Sequence, residues 1–309
     1  MDLGWTGINL PESVGGSGLG IAALIPVVES MGKGLMGTPL VSTVLAAELI
    51  RRAGGIAEED VLEDISGGCA ATVAYLDGSD WGGTNTGVSV DADGVLSGSK
   101  FMVPDAAQAT WIAVVGSDAA GDAVVALVAG SDVTAQAQAS HALIDLTKRA
   151  STLDFTGVKA QRVLSGDKVA SAIRDYLLIG ALLTAAEAVG STSACLAGIV
   201  DYLKTRKQFG KLIGSFQALK HPTVDIYVGM EHSRSLVYHA SSEIDDGPLS
   251  TEAEVACRMA KAKASDTIQY AGDRSVQFHG GFGFTWECDS SLFISCLLYT
   301  SPSPRDSLE

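Results

Sequence analysis

The chain is short of positive charge. Its 309 residues carry 21 Lys and Arg against 36 Asp and Glu, a formal net charge of −15. Nucleic acid and anionic membrane surfaces need a local excess of Lys and Arg, so this balance argues against both as partners. An anionic ligand would need cations gathered in one place against that background. Cysteine is also scarce: Cys69, Cys195, Cys257, Cys288 and Cys296 are odd in number, scattered, and form no CxxC pair. That pattern speaks against a disulfide framework and predicts a reduced, cytoplasmic protein whose thiols are mostly small buried hydrophobes. The His residues do not cluster with the Cys at ligand spacing, so no metal is expected. No basic segment with a following apolar run opens the chain, and no signal peptide is read. Long unbroken hydrophobic runs are missing too. Tyr176 to Val200 comes nearest, but Glu187 and Ser191-Thr192-Ser193 interrupt it. A buried helix in a soluble bundle is predicted there, not membrane insertion.

What is present is apolar: 47% of residues are hydrophobic and 18% charged, enough for a large core and two or three domains. Residues 4–20 form a Gly-rich loop. Gly15-Gly16-Ser17-Gly18 is read as a surface turn, since no strand precedes it and no Lys-Ser/Thr follows. Pro26 marks the first turn of a helix to Met31, and a second helix runs from Pro39 to Ala53, stopped by Gly54-Gly55. A short acidic piece, Ile56 to Ile65, completes an N-terminal helical domain over residues 1–65.

From residue 66 to 166 the texture alternates. Runs at Ala70–Tyr75, Gly87–Val90, Val95–Val103, Trp111–Val115, Ala123–Val128 and Val133–Ala139 are rich in Val and Thr and separated by turn formers. They predict a middle antiparallel β-barrel or sandwich domain, with Asp93-Gly94 its firmest hairpin turn. Beyond it the period returns to 3.6. Leu182, Ala186, Val189, Leu196, Val200 and Leu203 make one stripe; Leu219, Ile226, Met230, Val237 and Ala240 make the next. A third helix follows Pro248, with Thr251-x-x-Glu254 read as a capping box before Ala256, Ala260, Ala264 and Ile268. The fold class is α+β multidomain, ending in a four-helix-bundle-like domain over residues 167–295; residues 296–309 stay unassigned.

Two stretches carry chemistry. Arg206-Lys207-Gln208-Phe209-Gly210 combines a fixed cation, an amide, an aromatic ring and a glycine read as a helix stop. Gln277-Phe278-His279-Gly280-Gly281-Phe282-Gly283-Phe284 has adjacent glycines where backbone can approach a ligand. Each ends a long helical pattern, and together they suggest a site for an anionic, planar cofactor. His221 and His279 have no evident partner and are not read as ligands.

In this order these features resemble the acyl-CoA dehydrogenase family of flavoenzymes. The resembling residues are Asn9-Leu10-Pro11-Glu12 with Gly15-Gly16-x-Gly18, Leu96-Ser97-Gly98-x-Lys100, Arg206-x-x-Phe209-Gly210, Phe216-Gln217-x-x-Lys220-His221, and Gln277-x-x-Gly280-Gly281-x-Gly283-Phe284. The likeness runs from residue 3 to residue 295. It implies FAD, an acyl-CoA substrate in fatty-acid or sterol side-chain catabolism, an electron-transfer flavoprotein as acceptor, and a homo- or hetero-oligomer. Arg206 would pair with the pyrophosphate of FAD, and Phe209 and Gln217 would lie beside it. Gln277, Gly280 and Gly281 would line its adenosine-diphosphate end, the two stretches coming from different subunits.

The chain also departs from the family. Most members hold the catalytic Glu after the Gly-Gly motif, which falls here near Pro304; other branches hold it near Ala181. Neither position carries a carboxylate, and Glu187 is read as an interior polar residue, with a displaced base as the alternative. Where the family often has Trp-Ile-Thr, whose Thr meets the flavin ring, this chain has Phe101-Met102-Val103-Pro104. The hydroxyl is gone and Pro104 has no N–H. The final residues from Cys296 to Glu309 lack the family pattern and are expected to be unrelated sequence, with further helices expected before Gly4. The leading expectation is an acyl-CoA dehydrogenase; its rival is a non-catalytic subunit that completes the FAD site of a hetero-oligomer.

Overall fold

The computed structural model describes residues 4–54, 59–79, 83–134, 138–285, 287–290 and 292–293. Three helices open the chain: α1 (Ile25–Lys33), α2 (Leu40–Gly54) and α3 (Glu59–Ser66). Pro26 sits in the first turn of α1, where its missing N–H costs nothing. The Gly15–Gly18 segment is a turn, as expected. Gly16 is required there, because a Cβ would lie 2.2 Å from the Leu10 carbonyl oxygen.

Nine short strands follow among the described residues: β1 (Ala71–Ala74), β2 (Ser89–Val90), β3 (Leu96–Ser97), β4 (Ser99–Pro104), β5 (Trp111–Ser117), β6 (Ala123–Ala129), then the helix α4 (Gly130–Thr134), then β7 (Gln138–Ser140), β8 (Ala150–Asp154) and β9 (Arg162–Leu164). They form two sheets. One runs β3-β2-β5-β6-β9 with β1 also paired to β5; the other runs β4-β8-β7. Asp93-Gly94 does turn the β2–β3 hairpin, with Gly94 at φ 77°. β5 and β6 are buried on both faces, Ile112, Val114 and Val128 toward the other sheet and Val115, Val125 and Leu127 toward the helices. They therefore read as continuous apolar runs.

Three sequence expectations need correction here. The sheet is mixed, not antiparallel throughout: β1 and β2 each pair with β5 in parallel, and apolar alternation carries no information on strand direction. Val133 belongs to α4, not to a strand, and is fully buried. Beyond Gly190 the buried stripe of the next helix is Cys195, Ile199 and Leu203; Leu196 and Val200 are only half-buried.

That helix is α5 (Lys168–Thr205), 38 residues long and so about 57 Å. After the two-residue strands β10 (Lys207–Gln208) and β11 (Lys211–Leu212) come α6 (Gln217–Ser242) and α7 (Thr251–His279). The N-cap of α7 is Ser250, whose hydroxyl accepts from Ala253 N–H, so the cap lies one residue before the expected box. Arg174 reaches the Leu249 carbonyl, Cys195 the Ala271 carbonyl, and Tyr202 meets His279, so α5 and α7 run parallel. α6 returns between them. Of the bundle-like region, the described residues show three long helices, and α1 and α2 cover the remaining side of α5. α5 is long and apolar enough to cross a membrane by length and composition. These neighbours give its apolar faces a protein environment instead.

α1 meets α5 backbone to backbone. A Cβ at Gly32 would lie 2.0 Å from the Glu187 carbonyl oxygen, and one at Gly190 1.8 Å from that of Glu29. Gly190→Ala forces the two helices apart and should cost at least about 2 kcal/mol, read as a lower urea midpoint.

A buried polar network joins the first helices to the bundle. Glu48 accepts from Asn9, Arg51 and Arg52; Arg52 also bonds Asp175 and the Asp245 and Gly247 carbonyls. Asp175 accepts from Arg174 and from Leu249 N–H. The side chains of Arg52, Glu48 and Asp175 are 4%, 1% and 1% exposed. Burial alone raises the Glu48 carboxyl, but Arg51, then Arg52 and Asn9, hold it below its ordinary 4.5. Its folded value lies under its unfolded one, so its contribution is complete above pH 4.5 and is lost as pH falls through the folded value. Arg52→Ala should cost about 3 kcal/mol by stranding buried carboxylates. Glu48→Gln should flatten the acid limb of the stability–pH curve below pH 4.5.

Candidate functional site

α5 ends at Thr205 because Arg206 leaves the helix in an extended conformation (φ −72°, ψ 131°). Its N–H donates to the Tyr202 carbonyl and its own carbonyl accepts from Ile213 N–H, both at 2.9 Å. The backbone that carries the guanidinium is thus fixed from both sides. The side chain has no ion pair or hydrogen bond among the described residues and is exposed.

Next comes a two-residue hairpin. Lys207 pairs with Leu212 and Gln208 with Lys211, and the loop is Phe209-Gly210 with φ 53° and 74°. Two successive positive φ angles suit the right-handed twist of a tight hairpin. Gly210 is therefore a turn residue rather than a helix stop; the helix has ended five residues earlier. Gly adopts this backbone freely, whereas Phe does so at a cost. The Phe209 ring gains no burial in return: it is 89% exposed, with only the edge of Phe216 at 6.3 Å. A strained, outward-pointing aromatic ring marks a surface built to meet something outside the chain. Gln217 is exposed in the first turn of α6.

The second stretch lies beside the first. α7 stops at His279, and Gly280 takes φ 61°, ψ −140°, while its N–H closes on the Val276 and Gln277 carbonyls. A Cβ placed at Gly280 or Gly281 would find nothing within 4 Å, so this turn leaves open space above it. Gly283 differs: its Cβ would lie 2.6 Å from the Val276 carbonyl oxygen. Gln277 is exposed, as is the ring of Phe284 at 82%. Leu203, Ile213 and Phe278 share one apolar cluster beneath both stretches. The Tyr202 and His279 rings stack at 4.3 Å between centroids. The two stretches, expected from different subunits, thus occupy the same end of one chain.

The electrostatics of this end are specific. α5 and α7 both present negative C-terminal poles here, opposed by the N-terminal pole of α6. Lys204, Arg206, Lys207, Lys211 and Lys220 are all exposed on the surrounding segments. In a chain of net charge −15 this is the local cation excess that a diphosphate would need. The pyrophosphate end of FAD therefore fits the residues present. The segment assigned to the flavin ring fits less well. Met102 stands at φ 53° in a bulge of β4, Val103 is buried, and the Pro104 carbonyl is taken by the Thr72 hydroxyl.

Sequence reasoning missed several roles. Lys100 is wholly buried and donates to the Tyr75 and Asn85 carbonyls and to Asp77, so it ties the Tyr75–Asn85 connection to β4. Tyr202 and His279 were invisible as a pair, because stacking between residues 77 apart leaves no local pattern. Glu187 accepts from Lys148 at 2.5 Å and is no free carboxylate. Among the described residues no three His, Cys, Asp or Glu groups gather to hold a metal. A cavity of about 340 Å³ lies at the other end of α5, between Pro11, Arg51, Arg52, Lys168 and Pro248. Arg52 there is already spent on the Glu48–Asp175 network.

The family model of the acyl-CoA dehydrogenase C-terminal domain matches residues 170–298, and that of the N-terminal domain residues 1–59. The acyl-CoA dehydrogenase IpdE2 of Mycobacterium tuberculosis is 31% identical over 294 residues, covering 94% of this chain and 76% of the relative. Among solved structures, a variant of the Tcur3481–Tcur3483 steroid ACAD superposes with a TM-score of 0.84 at 29% identity, covering 97% of this chain and 81% of that one. The ChsE4–ChsE5 complex of M. tuberculosis gives 0.82 at 26%, covering 97% and 80%. Helical ends around a middle β region, the paired Arg206 and Gly280-Gly281 stretches and these likenesses agree: the chain belongs to the acyl-CoA dehydrogenase family of oxidoreductases.

Proposed function

We propose that the chain is an FAD-dependent subunit for α,β-dehydrogenation of an acyl-CoA thioester. The observation that carries this reading is the meeting, at one end of one chain, of an exposed Arg206, a strained outward Phe209 and the open Gly280-Gly281 turn. Arg206 holds the pyrophosphate as a fork of donors on a fixed backbone. Phe209 and Gln217 flank the cofactor, and Gln277, Gly280 and Gly281 line its adenosine-diphosphate end. FAD, when bound, accepts the hydride lost from the β-carbon. Removal of the α-proton requires a positioned carboxylate. On α5, Asp175 and Glu187 are both engaged in ion pairs.

That last point favours a second reading, in which this chain completes the FAD site of a different, catalytic chain. Both structural relatives above are named as pairs of different polypeptides. Val224, Tyr227 and Val228 of α6 are exposed in the single chain and form an apolar face for a partner subunit. An electron-transfer flavoprotein is the proposed acceptor, and the cytoplasm the proposed compartment.

The two readings separate in one experiment. The chain is expressed alone and with a neighbouring dehydrogenase gene, its visible spectrum recorded, and acyl-CoAs of varied size added anaerobically. Bleaching by the chain alone establishes the enzyme; flavin and turnover only on co-expression establish the completing subunit; a colourless protein in both settings sinks both. Arg206→Ala should raise the dissociation constant for FAD about 10- to 100-fold, the loss of a charge-assisted hydrogen-bond pair. Phe209→Ala should change folding stability by no more than about 0.5 kcal/mol, as an exposed site demands, while weakening FAD. A larger stability loss would make Phe209 structural.

A further inference from the structure

The Tyr202–His279 pair is not explained by any role assigned above. His279 stands between Gln277 and Gly280, at the last residue of α7. Tyr202 stands one turn before Arg206, and its carbonyl receives the Arg206 N–H. Their ring centroids lie 4.3 Å apart with planes tilted by 32°, close enough for two π-systems to interact. The imidazole is also held by its edge. Nδ1 lies 2.7 Å from the Ser275 carbonyl oxygen and 3.2 Å from the Ser290 hydroxyl. A carbonyl only accepts, so Nδ1 carries the proton. Ser290 is in turn fixed by Ser275 at 2.8 Å and by the Cys288 thiol at 3.2 Å, all buried. The ring therefore has one orientation, set by α7 and the residues after it, and it offers one face to α5.

We propose that His279 is a positioning residue: stacked on Tyr202, it sets the spacing between the Arg206 half and the Gly280-Gly281 half of the cofactor site. This rests on the FAD reading given above. Arg206 and Gly280 follow the ends of α5 and α7, which meet over one apolar cluster that includes Leu203, Ile213 and Phe278. A diphosphate gripped from both halves is held well only when they keep one separation, and looseness of an ångström forfeits much of the binding. The stack spans the gap from the residue whose carbonyl fixes Arg206 to the residue that precedes Gly280.

The test is FAD affinity of the purified chain, or of its co-expressed complex where flavin appears only there, by flavin fluorescence, with urea midpoints measured in parallel. His279→Ala and Tyr202→Leu should each weaken FAD about five- to tenfold, and the double variant should lose no more than either alone. His279→Phe, which keeps a ring against Tyr202 but not the Nδ1 bonds, should recover affinity. Additive losses, or no recovery with Phe, overturn the proposal; so does a loss of affinity that only tracks the urea midpoint. If His279→Ala fails to fold, Tyr202→Leu against His279→Phe carries the comparison. Arg206→Ala is the control. Weakened FAD in Arg206→Ala with unchanged FAD in His279→Ala overturns the positioning role alone. No FAD uptake either by the unsubstituted chain or by its co-expressed complex, or none of the expected loss in Arg206→Ala, overturns the flavin reading and this inference with it.

Discussion

The crossing of α1 over α5 at Gly32 and Gly190 sets the geometry of the rest. Two helices touch there with no side chain between them, so neither can rotate or slide without collision. Within one turn of that contact, Ser191 donates to the Gly32 carbonyl and Glu187 binds Lys148 from the loop before β8. Gly37, just past α1, lies against the Thr147 carbonyl of the same loop. N-terminal helices, β region and bundle are thus keyed to one stretch of α5. Everything built on the far end of that helix, the Arg206 hairpin included, inherits its orientation.

Charge is distributed with the same economy. The chain places two buried carboxylates beside arginines at the start of α5, where Glu48 and Asp175 share Arg51, Arg52 and Arg174. At the other end it leaves Arg206 exposed, with no ion pair among the described residues, beside Lys204, Lys207, Lys211 and Lys220. One arginine cluster is engaged internally and holds the fold; the guanidinium that precedes the hairpin faces outward. An acidic protein can therefore hold an anion without a basic surface, because a few fixed charges near two helix ends suffice at short range.

How much of this was legible in the residues follows from range. α1, α2, α6 and α7 were readable because a 3.6 period and Pro or Gly punctuation are local. The Asp93-Gly94 hairpin was readable because turn chemistry is local too. The parallel pairing of β1 with β5 was not, since it depends on where the chain enters the sheet. The Arg206 and Gln277 stretches stood out by composition, but their meeting in one chain depends on α5 and α7 running parallel. Gly210 misled because a glycine after a helix looks alike whether it caps the helix or turns a hairpin. The Glu48–Arg52–Asp175 network escaped because Asp175 lies 123 residues from Arg52 and each member individually looks like a surface charge.

Lys100 bears on how such a chain can change over time. Two of the three acceptors around its ammonium are backbone carbonyls, those of Tyr75 and Asn85. Carbonyls are present whatever side chains the positions carry. The connection between β1 and β2 is thus moored by atoms that mutation does not remove, with Asp77 and the Asn85 side chain adding grip. Residues within that span are free to drift while their path is kept. A chain of this design can try new loop surfaces against an unaltered scaffold, which is the condition under which one architecture acquires many specificities.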